Sequence, residues 1–168
     1  MKYNIENLVE LVKNKGEFHW AQQESRTDLF QYNHYMQLCF ILDVDEEKFL
    51  LGQDYIVECY KDPRVFDAAK TITDEFEKNY NKKVVKMYVI KLMPQEYPIR
   101  QYYSVEEYEE KVTTCFFPLL VNYKSQISID ANTYTPIPKN VYIREPGSLG
   151  SIYNFGNAAD VYLFAQFL

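Results

Sequence analysis

Apolar residues recur at helical spacing in two stretches of the chain and at strand-like spacing through most of the rest. Near the start, Ile5, Leu8, Val9, Leu11 and Val12 share one face, with Asn4 placed to cap the helix and "NKG" at 14–16 to stop it. That helix is expected to pack by this one face. A longer stripe, Val65, Phe66, Ala69, Ile72, Phe76 and Tyr80, runs to "NKK" and starts behind Asp62 and Pro63. An aspartate there can accept from the free first-turn N–H groups, and proline loses nothing at the first helical position. Between the two, the segment from Phe18 to Leu42 closes in "YMQLCFIL", short and bulky enough for a buried strand. The acidic "DVDEEK" breaks it, and "DYIVECY" predicts a further short strand. After Lys83 the runs "VVKMYVIKLM", "VTTCFFPLLVN", "VYIRE", "GSIYNF" and "DVYLFAQFL" are β-branched or aromatic and are broken by Pro, Gly and Asn. The C-terminal half therefore reads as strands throughout.

Helices first and many short strands afterwards predict an α+β chain. The fold expected is a jelly roll or double-stranded β-helix of cupin-like type, with the N-terminal and central helices backing one sheet. No repeat, linker or low-complexity tract divides the 168 residues, so 1–168 is read as one domain: helices plus strands over 1–83, a β-rich core over 84–168. A chain of this length buries about two thirds of its unfolded surface without staples.

Composition narrows the function classes. The three cysteines, Cys39, Cys59 and Cys115, are far apart and form no C-x-x-C, so neither a disulfide framework nor a zinc ribbon follows; a reducing cytoplasm is the expected setting. Charges interrupt the apolar positions of the first residues, unlike a signal peptide's core, and nowhere do eighteen apolar residues run together. A soluble chain is expected. Net charge −6 disfavours nucleic acid and anionic membrane, because neutralising phosphates takes a surplus of Lys and Arg. Sixteen tyrosines and eleven phenylalanines favour strands and interfaces with one dry and one wet side.

The strand "KMYVIKLMP", then "FPLLVN", "PKNVYI" and "SIYNFGNAADVYLF", together form a frame that resembles the aspartyl/asparaginyl β-hydroxylase branch of the Fe(II)/2-oxoglutarate dioxygenases. Pro118, Leu119 and Asn122 fall as in that family's H-x-P-L-x-x-N stretch, and the last segment is similar to H-x-V-x-N followed by R-x-H-L. Upstream, Arg26 and "FQYNHYM" around His34 resemble the start of the family's domain. The resemblance implies an iron site of one H-x-D and a distal histidine, with an arginine clamping the 2-oxoglutarate carboxylate. In this chain Arg100 falls at the first histidine and Tyr102 at the aspartate, within "YPIRQYYS" at 97–104. Gly150 falls at the distal histidine, Asp160 at the clamp arginine and Phe116 at a further pocket histidine. Arginine has no lone pair for iron, glycine has no side chain, and aspartate repels a carboxylate. The resemblance therefore implies a degenerate member with no metal and no cofactor.

Other chemistries are weaker. His19 and His34 precede the long helix, and neither belongs to an H-x-D or H-x-E. Cys115 lies in a strand interior, where a thiol is an inert small hydrophobe. Asp43, Asp45, Glu46 and Glu47 lack the glycine and distal glutamate of a calcium loop and read as a solvated loop. "EPGSLGS" has glycines but no following helix to cradle phosphate, and "VEEYEEK" reads as a solvent-facing turn or short helix. Two functions are expected from different classes. The first is a non-catalytic dioxygenase-fold protein acting as a binding or structural module through a protein partner or self-assembly. Its kinship implies a phage-encoded accessory or virion component in the host cytoplasm or the virion. The second is a receptor or enzyme for a small anion in the former cavity, using Arg100 and Tyr102 without iron. The positions facing that cavity are Arg100, Tyr102, Phe116, Asn122, Gly150, Asn154 and Asp160, and Arg100 is expected to pair with Asp160 across it.

Overall fold

The computed structural model describes residues 2–14, 20, 36–94, 99–100 and 111–168, and for 36–37 and 99–100 the backbone only. His19, Arg26, His34, Tyr102 and most of "VEEYEEK" lie outside the described residues.

Helix α1 spans Glu6–Lys13, and Ile5, not Asn4, holds the N-cap position. Asn4 still helps, its Oδ1 accepting from the Glu6 N–H at 3.3 Å. The strand β1 (Met36–Val44) is followed by Asp45, whose side chain accepts from the Lys48 N–H and starts a one-turn helix, α2 (Glu46–Leu50). The acidic stretch is thus not the solvated loop expected. Asp43 is buried in β1, Asp45 is a cap, and Glu46 and Glu47 sit in the first turn, where carboxylates meet the positive end of the helix dipole. Strand β2 is short, Ile56–Glu58.

Helix α3 (Pro63–Tyr80) begins as its sequence dictates. Asp62 accepts from the Arg64 N–H at 2.9 Å, Pro63 opens the first turn, and Asn81 closes the last one in the left-handed region at φ 53°. Its buried stripe is Val65, Ala68, Ala69, Ile72, Thr73 and Phe76. Phe66 and Tyr80 lie at the margin and stack on Tyr60 and Phe76 at 4.7 and 4.2 Å.

Eight further strands lie among the described residues: β3 (Val84–Leu92), β4 (Ile99–Arg100), β5 (Thr113–Leu120), β6 (Ser125–Ile129), β7 (Asn132–Tyr134), β8 (Tyr142–Arg144), β9 (Gly150–Asn154) and β10 (Asp160–Phe167). With β1 and β2 they form a six-stranded sheet in the order β2-β1-β3-β10-β5-β8 and a four-stranded sheet in the order β4-β9-β6-β7, all pairs antiparallel. The alternation of side chains along β10 shows how the layers stack. Val161, Leu163, Ala165 and Phe167 join Leu8, Val65, Ala69, Ile72 and Phe76 in a core between the larger sheet and the helices. Tyr162 and Phe164 point the other way and join Ile127 and Ile152 of the smaller sheet. Burial on both faces explains why every residue of β10 is buried and why its sequence reads as an almost unbroken apolar run. The architecture is a double-stranded β-helix with α1 and α3 backing its larger sheet.

Candidate functional site

The space between the two sheets is layered from one end to the other. At one end the register of the larger sheet aligns Lys86 with Gln166, Gln166 with Thr114, and Thr114 with Arg144. Gln166, Thr114 and Arg144 are buried, and Lys86 forms a 2.9 Å ion pair with buried Asp43. The Arg144 guanidinium donates to Thr114 Oγ1 at 2.8 Å and to the Ser148 carbonyl at 3.3 Å. The middle is aromatic and aliphatic: Phe164 stacks on Tyr88 at 4.3 Å and meets Phe116 edge-on at 5.5 Å, beside Leu38, Ile90, Ile127 and Ile152.

Gly150 and Phe116 lie where the polar row meets this layer. A Cβ added at Gly150 would stand 2.9 Å from Arg144 Cδ, 3.6 Å from its Cγ and 3.7 Å from Phe116 Cζ. The stem of Arg144 thus occupies the room a side chain at 150 would need. Because two hydrogen bonds hold its guanidinium, the stem cannot swing aside without breaking them. Gly150 offers no ligand atom and Phe116 only hydrocarbon, so these positions do not fit a metal. Among the described residues no three His, Cys, Asp or Glu side chains converge in a way that could hold one.

The opposite end holds a second polar cluster, built from the β5–β6 turn and the β9–β10 loop. Asp160 is fully buried. It accepts from Ser125 Oγ at 2.5 Å, from the Asn122 N–H at 3.1 Å and from Asn122 Nδ2 at 2.8 Å. Asn122 Nδ2 also donates to Asn154 Oδ1 at 3.0 Å, and the Gly156 N–H donates to the same oxygen at 2.9 Å. Asn154 Nδ2 donates to the carbonyls of Leu92 and Ala158 at 3.1 and 2.8 Å. The two hydrogens and two oxygen lone pairs of Asn154 are therefore all used. Burial pushes the Asp160 carboxyl above its usual range, against the hydrogen bonds from Ser125 and Asn122 that pull it down.

The structure thus gathers Asn122, Asn154 and Asp160 into one network and sets Phe116 and Gly150 together toward the other end. The backbone of Arg100 pairs with Ser151 on β9. Its side chain is outside the described residues, so the expected Arg100–Asp160 pair falls outside them as well. Among the described residues every donor to Asp160 is neutral. Cys115 is fully buried and burial holds its thiol well above the ordinary value, as expected of an inert thiol. Sequence reasoning missed Arg144, Ser125 and the row through Gln166 and Lys86. Their only local signal is alternation, Tyr142 and Arg144 on one face of β8. No described helix is long and apolar enough to cross a membrane.

No family model matches the sequence, and no curated protein matches it. Among solved structures, the chain is similar to an oxidoreductase of the 2OG-Fe(II) oxygenase family from Burkholderia pseudomallei, with a TM-score of 0.51 and 8% identity over 80% of this chain and 68% of that one. It is also similar to a predicted oxalate decarboxylase from Thermotoga maritima, TM-score 0.45, 14% identity over 79% of this chain and 80% of that one. A third likeness is to the cupin domain of Schizosaccharomyces pombe Cnp3, TM-score 0.39, 17% identity over 51% of this chain and 58% of that one. The first of these shows a shared double-stranded β-helix fold. At 8% identity it shows the fold alone.

Proposed function

We propose that this chain is a non-catalytic member of the aspartyl/asparaginyl β-hydroxylase-like branch, a scaffold that works as a binding or structural module. The observation that carries the reading is the contact at Gly150. The position of the distal histidine has no side chain, and Arg144 Cδ stands within 2.9 Å of where its Cβ would be. At the position of the clamp arginine, Asp160 is already held by three hydrogen bonds that join two loops. A group so committed ties the fold together and is not available to bind a cosubstrate carboxylate, which its charge would repel. With the interior given to packing, contact with a protein partner or a further copy of the chain falls to the outer surface. A phage-encoded accessory or virion component in the host cytoplasm is the setting this reading favours, with neither nucleic acid nor membrane as partner.

The test is a thermal shift with manganous ion and 2-oxoglutarate together. A site filled at a hundredfold excess over its dissociation constant would add about 2.7 kcal/mol, or about 5–10 °C for a chain of this size. No shift is expected. A rise that requires both ligands overturns the reading, and a rise with 2-oxoglutarate or inorganic phosphate alone favours the anion receptor built on Arg100 and Tyr102.

A further inference from the structure

The helical layer that backs the larger sheet carries an open groove of about 510 Å³ between α1 and α3. Leu11 and Ala68 form its base, half-buried and buried, and its walls are polar side chains exposed to solvent. On one wall stand Asn7, Glu10 and Asn14, and on the other Arg64, Asp67 and Thr71. Each set steps by three or four residues, so each lies along one face of its helix. Seven residues of helix rise about 10 Å, the length of about three residues of extended chain.

Two acidic groups in this groove are not balanced. Arg64 is held by Asp62 in a 2.8 Å ion pair, which balances its charge at the start of α3. On the same two helices, Lys70 pairs with Asp74 and Glu6 with Lys139. Glu10 and Asp67 line the groove from opposite walls, and neither is in an ion pair among the described residues. Their carboxylates and the amides of Asn7 and Asn14 are left to solvent.

We propose that this groove docks an extended segment of a protein partner, one that carries lysine or arginine. Charge complementarity selects the side chain, because Glu10 and Asp67 present carboxylate acceptors from both walls. Leu11 and Ala68 at the base receive its aliphatic stem. The amides of Asn7 and Asn14, each both donor and acceptor, match the N–H and C=O groups of a peptide backbone. The proposal rests on the reading of the chain as a binding module and gives its partner a chemistry.

The experiment is selection from a random peptide display library on the whole chain, followed by fluorescence anisotropy with the selected peptides made synthetically. These are expected to be enriched in lysine and arginine. Their affinity should fall about tenfold in the double variant Glu10→Gln with Asp67→Asn, two exposed changes that leave the melting temperature in place. Failure to select any peptide, selection without that enrichment, or equal affinity for the variant overturns the proposal. Displacement by argininamide at the peptide's own dissociation constant also overturns it, by assigning the groove to a small cation. The two readings fail separately: a thermal shift that needs both manganous ion and 2-oxoglutarate overturns the non-catalytic reading, whereas loss of the lysine and arginine preference overturns the groove alone.

Discussion

Gly156→Ala tests whether the polar end of the barrel is held as rigidly as its hydrogen bonds imply. Gly156 lies in the β9–β10 loop and is not among the glycines in the left-handed region, so backbone strain plays no part. The obstacle is steric: an added methyl would overlap Oδ1, Cγ and Nδ2 of Asn122. For the methyl to fit, the Asn122 amide must leave, and it then gives up its bonds to Asp160 at 2.8 Å and to Asn154 at 3.0 Å. A bond to a buried carboxylate is worth about 1.5–3 kcal/mol and a neutral one about 1 kcal/mol, and residual overpacking adds to both, so the expected loss is about 3–5 kcal/mol. Urea titration gives that loss directly, and calorimetry should show melting lowered by about 10 °C. Asn122→Ala isolates the mechanism, because it removes the atoms the methyl would strike. In that background Gly156→Ala should cost no more than about 0.5 kcal/mol, the usual size of a substitution free of such conflicts. A loss below about 1 kcal/mol in the native background, or an equal loss in both backgrounds, would refute the reasoning.

Two further outcomes follow from buried charges. Lys86→Met takes the ammonium away from Asp43 and should cost about 3–5 kcal/mol by denaturant unfolding, whereas Asp43→Leu with Lys86→Met should recover most of it, since a packed apolar pair replaces a desolvated ionic one. Asp160 titrates higher in the folded chain than in the unfolded one, so the folded state binds its proton more tightly. Its contribution to stability is therefore greatest below the unfolded value of about 3.9 and declines as pH rises through the raised folded value. Asp160→Asn should remove that decline, so the difference in urea midpoint between about pH 4 and pH 7 should shrink.

What could be read from the chain follows the range of the forces involved. Helix α3 was legible because Asp62, Pro63 and the stripe ending at Phe76 are all local, and the fold class was legible because short strands divided by turns leave few other closed arrangements. Helix α2 was hidden by composition: Asp43, Asp45, Glu46 and Glu47 look like a solvated loop until Asp45 is seen accepting from Lys48. The polar row through Lys86, Gln166, Thr114 and Arg144 was not legible at all. Each of those residues sits in a strand that otherwise reads as apolar, and only the cross-strand register brings them side by side. Among the candidate site residues, Asn122, Asn154 and Asp160 are joined by hydrogen bonds that give them a structural task residue identity alone did not announce.

The position of β10 has a consequence for how the chain is made. This strand lies between β3 and β5 at the middle of the larger sheet, although both of them precede it in the chain, and Lys83 and Leu168 exchange two backbone hydrogen bonds at its end. Until β10 leaves the ribosome, β3 and β5 each hold an unpaired edge rich in valine and phenylalanine, and the two faces of the barrel have no common wall. Folding is therefore expected to wait for translation of the whole strand. During that wait the nascent chain carries two adhesive edges, and its yield in the cell is expected to depend on how quickly the ribosome delivers β10 after β5.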